Sequence, residues 1–179
     1  MSILIAIISV IIGLIVLLLI IALFLKKEYT IERDVAINQP SSSVFNYIKY
    51  IKNQDLYSVW NQLDPAMKKT YSGTDGTVGF IYAWDSNNKK AGKGEQEITY
   101  IKEGERMDAA IHFIKPFEGR SVASLATIPV GANQTNVKWS INGKMNYPMN
   151  AMLLFMNMEK MIGGDLEGGL ANLKKILER

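Results

Sequence analysis

The sequence predicts an α+β protein in which one membrane-spanning helix precedes an antiparallel sheet curved around a long C-terminal helix. Three observations carry that prediction. The first 25 residues hold no charged side chain, although the chain has 20 Lys/Arg and 17 Asp/Glu in all. The middle of the chain alternates apolar and polar residues in runs parted by short turns, the period-two mark of strands. The segment after Pro148 spaces methionines and leucines at helical intervals.

The apolar run comes first. Ile3 to Leu25 is uninterrupted by charge and ends at Lys26-Lys27. At the α-helical rise it spans roughly 35 Å, against about 30 Å of hydrocarbon in a bilayer. A cleaved secretory signal has a basic start, a shorter apolar core and a small-residue cleavage site. This run has no Lys or Arg before it, and Ala22 is the one small residue near its end. The expectation is a retained anchor over residues 1–27, followed by a domain over residues 28–179. Lys26, Lys27 and Arg33 flank the run on its C-terminal side only, so the positive-inside rule places that domain in the cytoplasm. Ser9 and Gly13 lie four apart, a weak small-xxx-small pattern. The chain has no cysteine, which is compatible with either side of a membrane.

Past residue 25 the charged fraction is about a quarter, ordinary for a soluble domain with one core. The net charge of +3 is small. Acids alternate with bases, and no Lys/Arg stripe is interleaved with aromatics, so nucleic acid is not expected as a partner. A mildly basic surface beside an anionic bilayer is the simpler expectation.

Tyr29, Ile31, Val35 and Ile37 share one face of a first strand, with Arg33 interrupting it. Asn38-Gln39-Pro40-Ser41 ends that strand. Val44, Phe45, Ile48 and Ile51 then fall at helical spacing over Ser42–Ile51, with serines placed to cap the start. A further helical turn is expected within Asn53–Trp60, and Asp64-Pro65 and Ser72–Gly76 read as loops. Val78, Phe80, Tyr82 and Trp84 alternate along the next strand. Gly94–Ile101 forms another. Met107, Ala109, Ile111 and Phe113 share a face of the next, which Pro116 ends. Ser121–Pro129 and Thr135–Asn142 follow, joined by Gly131-Ala132-Asn133. The short turns argue for an antiparallel meander.

Pro148 suits the first turn of a C-terminal helix, because its missing N–H would be unpaired there. Met149, Met152 and Met156 begin the apolar side, and Leu166, Leu170, Leu173 and Leu177 continue it. Gly163-Gly164 and Gly168-Gly169 weaken the helix by about 1 kcal/mol each relative to alanine. They mark either a kink or a very close contact. A sheet curved round this helix leaves a cavity faced by Phe80, Tyr82, Trp84, Ile111, Phe113, Trp139, Met149, Met152 and Met156. These are the expected ligand-binding residues; the alternative is that Phe80, Tyr82, Trp84 and Trp139 simply fill a core, since alternating aromatics are ordinary strand residues. Five of the nine methionines lie in Met149–Met161, and flexible thioethers suit an adaptable apolar wall.

The layout resembles the helix-grip fold of the START-like superfamily, also called Bet v 1-like or SRPBCC, and within it the bacterial polyketide cyclase/dehydrase branch. The resemblance rests on Tyr29–Phe45, Gly76–Trp84, Gly92–Ile98, Val137–Trp139 and Gly163–Leu173. Ile37, Pro40, Val44 and Phe45 match the family's passage from first strand to first helix. It covers residues 28–178, and the N-terminal anchor is foreign to it. It implies an internal cavity for a lipid, sterol or polyketide. It implies no single reaction, since the superfamily holds carriers, cyclases, receptors and chaperone activators.

Catalytic chemistry has little to stand on. His112 is the single histidine and is expected on the outer face of its strand, without the partner that base catalysis needs. One histidine and no cysteine give no zinc site of the usual kind, and no calcium-loop spacing is present. No cofactor is expected. Glu95 and Glu97 share a strand face that is expected to be solvated. Tyr82, Tyr100 and Tyr147 are the candidates for polar groups inside the cavity. The reading is therefore a membrane-anchored binding module for a hydrophobic small molecule or lipid. The alternatives are a cyclase/dehydratase-like enzyme and a chaperone-activator-like interaction domain.

Overall fold

The apolar run is one continuous helix, α1 (Ser2–Phe24), in the computed structural model, which describes residues 2–179. It is long and apolar enough to cross a membrane. Its sides are exposed through Leu17; Leu18 and Leu19 are half-buried, and Ala22 in the last turn is fully buried. That turn meets the Met149–Leu154 segment, where the Asn150 side-chain amide donates to the Ala22 carbonyl at 2.6 Å. The Met145 N–H donates to the Lys27 carbonyl at 2.8 Å, continuing the tie into the domain.

Seven antiparallel strands form one sheet in the order β1-β7-β6-β5-β4-β3-β2. They are β1 (Glu28–Ile37), β2 (Lys68–Ser72), β3 (Ile81–Asp85), β4 (Lys93–Lys102), β5 (Arg106–Lys115), β6 (Gly119–Gly131) and β7 (Gln134–Lys144). β1 closes against β7, with Glu28 opposite Lys144 and Ile37 opposite Thr135. The meander expected from the short turns is present. The edge strand β2 was not expected. Its sequence, KKTYS, has one large apolar residue, and only Lys69 is even half-buried, so no alternation marks it.

Between β1 and β2 lie α2 (Ser41–Ile48), a 3-10 turn (Ile51–Asn53), α3 (Gln54–Tyr57) and α4 (Val59–Gln62). Pro40 stands at the N-cap of α2, and no serine side chain caps it. Val44, Phe45 and Ile48 are the buried residues of α2, as their spacing required.

The C-terminal helix, α5 (Met158–Leu177), starts at Met158 and not at Pro148. Asn157 is its N-cap, its side chain accepting from the Lys160 N–H at 2.9 Å. Pro148 instead caps a separate 3-10 segment, Met149–Leu154. α5 runs unbroken through its glycines, and three of them, Gly163, Gly168 and Gly169, mark close contact, while Gly164 faces open space. A Cβ on Gly169 would lie 2.8 Å from the Trp139 ring, and one on Gly168 would lie 2.9 Å from Val59. Gly163 faces the Arg33 guanidinium. Arg33 interrupts the apolar face of β1 because it ties that strand to α5. It pairs with Glu159 at 2.6 Å and Glu167 at 2.5 Å.

The strand register divides the space under the sheet into two halves. In the half away from α1, Ile37, Ile98, Met107, Leu125 and Val137 close on Phe45, Ile48, Leu170 and Leu173 as a filled core. In the half toward α1, the inner face of β6 carries Ser121 and Ala123 where the far half has Leu125. Small side chains there leave volume unfilled.

Candidate functional site

That unfilled volume is a cavity of about 280 Å³ between the sheet, α3–α4 and the start of α5. This is near the lower end of the range for small-molecule sites. Tyr82, Trp84, Ile111, Phe113 and Trp139 all line it, as the strand alternation predicted. The aromatics are ordered against each other. Tyr82 stacks on Trp84 at 5.7 Å, and Trp84 meets Phe113 edge-on at 6.2 Å. Trp139 is held edge-on by Tyr57 at 5.7 Å and Trp60 at 6.0 Å.

Four expected residues lie elsewhere. Phe80 is in the filled core, 1% exposed and stacked on Tyr71. Met149 and Met152 belong to the 3-10 segment that meets the end of α1, Met156 to the link that follows it, and all three lie outside the cavity lining. The cause is the late start of α5: Asn150 turns toward the α1 carbonyls, so Met149–Leu154 cannot be the first turns of the gripped helix. The methionines that do line the cavity are Met158 and Met67.

The short helices supply polar groups that sequence spacing did not reveal. Gln54, Ser58, Trp60 and Asn61 all reach the wall. The buried Gln96 amide donates to the Gln54 side-chain oxygen at 3.0 Å. The Gln96 position was legible in one way: it is the polar residue on an inner-facing site between Gly94 and Ile98. Asn61 donates to the Tyr82 hydroxyl at 3.4 Å, and that hydroxyl contacts the Met67 sulfur at 3.7 Å. Burial, then the negative charge of Asp55, pushes the Tyr82 phenol far above its ordinary value. Tyr29 also lines the wall, its phenol raised by burial and partly offset by a hydrogen bond with Ser121. The Trp139 indole N–H is buried and finds no hydrogen-bond partner among the described residues. A buried donor left without an acceptor costs stability.

The other expected polar candidates face outward. Tyr100 and Tyr147 are 46% and 42% exposed. His112 lies on the outer sheet face, 3.6 Å from Glu95 and 3.4 Å from Glu118. Glu95 and Glu97 are exposed beside it. With Arg120, Lys144 and Glu28 they rim an open depression of about 550 Å³. That depression is larger than the inner cavity, but its rim charges partly pair with one another, as Lys144 does with Glu28.

Of the residues lining the inner cavity, only Lys90 is exposed, so it marks the rim. Lys90 and Ala91 belong to the β3–β4 loop. Trp84 donates its indole N–H to the Ala91 carbonyl at 2.9 Å, fixing that loop. Asp64 holds its base, accepting from the Ser86 hydroxyl at 2.6 Å and the Asn87 N–H at 3.2 Å.

No protein-family model and no curated protein matches the sequence. Solved structures match its fold. Truncated norcoclaurine synthase from Thalictrum flavum aligns with a TM-score of 0.62 at 14% identity, covering 85% of this chain and 95% of that one. A structural-genomics target from Nitrosospira multiformis gives 0.61 at 16% identity, over 83% and 96%. The Aha1 dimer from Colwellia psychrerythraea gives 0.57 at 14% identity, over 84% and 96%. These likenesses establish the Bet v 1-like helix-grip fold and nothing finer.

Proposed function

We propose that the protein is a membrane-anchored binding module for a hydrophobic or amphipathic small molecule, held in the cavity between the sheet and α5. The observation that carries this reading is the split interior. The half away from α1 is packed, while the half beside α1 keeps a cavity lined by Tyr82, Trp84, Phe113 and Trp139, with the amides of Gln54, Asn61 and Gln96 in its wall. Apolar walls with a few fixed polar groups suit a ligand with an apolar body and an acceptor oxygen. The retained anchor is supported by Asn150. A chain cut at the end of the apolar run would leave that buried amide without its Ala22 partner. A cytoplasmic domain follows from Lys26 and Lys27, as before.

A cyclase/dehydratase-like activity of the polyketide cyclase type is the second reading. The buried Tyr82 hydroxyl, beside Asn61, favours it, as does the fold shared with norcoclaurine synthase. Binding is preferred because the groups lining the cavity interior are amides and hydroxyls, and a phenol pushed upward is a weaker acid, not a base poised near neutrality. The test is mass spectrometry of organic extracts from the gently purified full chain. A reproducible apolar compound in near-stoichiometric amount is expected. A chain that is empty in every preparation would overturn the reading.

A further inference from the structure

The segment joining β7 to α5 has an unusual character for a connection. Met145 through Met158 carries no charged residue. Within it, Met149, Leu154 and Phe155 are 44%, 49% and 76% exposed. A soluble loop places polar residues on such a surface. Here three large apolar side chains face outward, flanking the buried Asn150 and Ala151 and the half-buried Met152 and Leu153.

Its position is fixed by α1. The Asn150 amide reaches the carbonyls of Ala22 and Leu25, at 2.6 and 3.5 Å. Ala22 lies within one turn of the C-terminal end of a helix about as long as the hydrocarbon layer is thick. If α1 spans a bilayer, the depth of Asn150 is therefore set at the interface, and Met149–Phe155 lies beside it. The register brings two more loops to the same end. Glu28, Lys144 and Arg120 are opposite one another, and so are Lys115, Lys93 and Asp85. The β3–β4 and β5–β6 loops thus share this end, and the latter exposes Phe117 at 62%.

Charge points the same way. Lys26, Lys27, Lys89, Lys90 and Lys115 are exposed at this end, and none has an ion-pair partner among the described residues. At the far end, Lys49, Lys102 and Arg106 are paired, while Lys175 and Arg179 at the end of α5 are exposed without an ion pair among the described residues, so the ring of five free lysines, rather than an absence of free cations elsewhere, is what distinguishes the end beside α1. Apolar side chains ringed by free lysines suit the boundary between anionic headgroups and acyl chains.

We propose that Met149–Phe155 is a second membrane contact, embedded in the interfacial layer of an anionic phospholipid bilayer. The rim of the cavity, marked by Lys90, then opens at the bilayer surface, and the ligand enters from lipid without crossing water. This rests on the reading of α1 as membrane-spanning, and it deepens the proposed binding function by assigning the ligand's source.

The chain has no cysteine, so single nitroxide labels can be placed cleanly. The full chain is reconstituted in vesicles of phosphatidylcholine and phosphatidylglycerol, with labels on Phe155→Cys, Leu14→Cys or Ala132→Cys. All three positions are exposed, so folding is not at stake. Leu14 reads whether α1 spans the bilayer, and Ala132, in the β6–β7 turn at the far end, is the aqueous reference. At residue 155, relaxation by oxygen should exceed relaxation by a water-soluble nickel chelate, as at residue 14, with the order inverted at residue 132. A label at 155 as open to the chelate as the one at 132 would overturn the proposal. The readout needs no ligand. An aqueous label on a protein that still carries ligand sinks this inference alone, and an empty cavity above a buried label sinks the binding reading alone.

Discussion

The side-chain amide of Asn150 caps the last turn of α1, donating to the Ala22 carbonyl at 2.6 Å from a position with no solvent exposure. A helix end has unpaired carbonyls, and a side-chain donor from elsewhere in the chain both satisfies one and fixes the helix direction. The apolar helix is thus built into the domain. Asn150→Ala leaves the Ala22 carbonyl without that donor and weakens the docking of α1 by about 1–3 kcal/mol. The expected outcome is faster tryptic cleavage after Lys26 and Lys27 in protein held in lipid nanodiscs, with the thermal midpoint of the domain little changed. An unchanged cleavage rate would count against the cap.

The glycines of α5 give a prediction of opposite signs. Gly169→Ala puts a methyl group 2.8 Å from the Trp139 ring, so helix and ring must part. Overpacking of that kind costs about 1–3 kcal/mol, more than the roughly 1 kcal/mol of helix propensity gained. Gly164→Ala meets nothing within 4 Å and should stabilise by up to about 1 kcal/mol. Urea midpoints should therefore move down for Gly169→Ala and up for Gly164→Ala. Equal shifts would mean that α5 does not lie against Trp139.

Asp64 sets a pH dependence at the cavity rim. Its hydrogen bonds, led by the one from the Ser86 hydroxyl, hold its carboxyl below the ordinary carboxylate range. A depressed folded value means that its contribution is complete above the unfolded value and is lost as pH falls through the folded one. The β3–β4 loop should therefore hold at neutral pH and loosen only below about pH 4. The Trp84 indole N–H resonance, tied to the Ala91 carbonyl, reports it. Asp64→Asn should broaden that resonance at neutral pH and remove its acid dependence. An acid transition unchanged in the variant would assign it to another group.

The orientation is tested in intact cells. A cytoplasmic domain leaves a cysteine at Ala132 unlabelled by a membrane-impermeant maleimide until the cells are opened. Labelling before lysis would reverse the assigned side.

Much of this architecture was legible in the sequence, for reasons particular residues make plain. Alternation identified β1, β4–β7 and the Tyr82–Trp84 part of β3, while Val78 and Phe80, expected on the same strand, precede β3 in the loop before Ile81; it put Tyr82, Trp84, Ile111, Phe113 and Trp139 on the inner face because strand side chains alternate strictly. What failed was local. Lys68–Ser72 is an exposed edge strand that owes its form to β3, and nothing in its own pattern shows this. Pro148 and the spacing of Met149, Met152 and Met156 mimic a helix start, whereas the decisive residues were Asn157 as cap and Asn150 as the tie to α1. Phe80 alternates with Tyr82 but falls beyond the point where the interior closes. That closure depends on Leu125 following Ala123 across from Met107, a tertiary match invisible along one strand. The polar wall from Gln54 to Asn61 came from two one-turn helices too short to carry a period.

The most direct test of binding in the cavity is native mass spectrometry of the full chain released from membranes, comparing the unaltered sequence with Ala123→Leu. Leucine at 123 fills space at the sheet wall without touching α1 or the rim. The account predicts a one-to-one adduct on the unaltered chain and at least about a tenfold loss of it in the variant, equivalent to roughly 1.4 kcal/mol of affinity, with the fold intact. An unaltered chain that never carries an adduct, or a variant that retains it in full, would contradict ligand binding in this cavity.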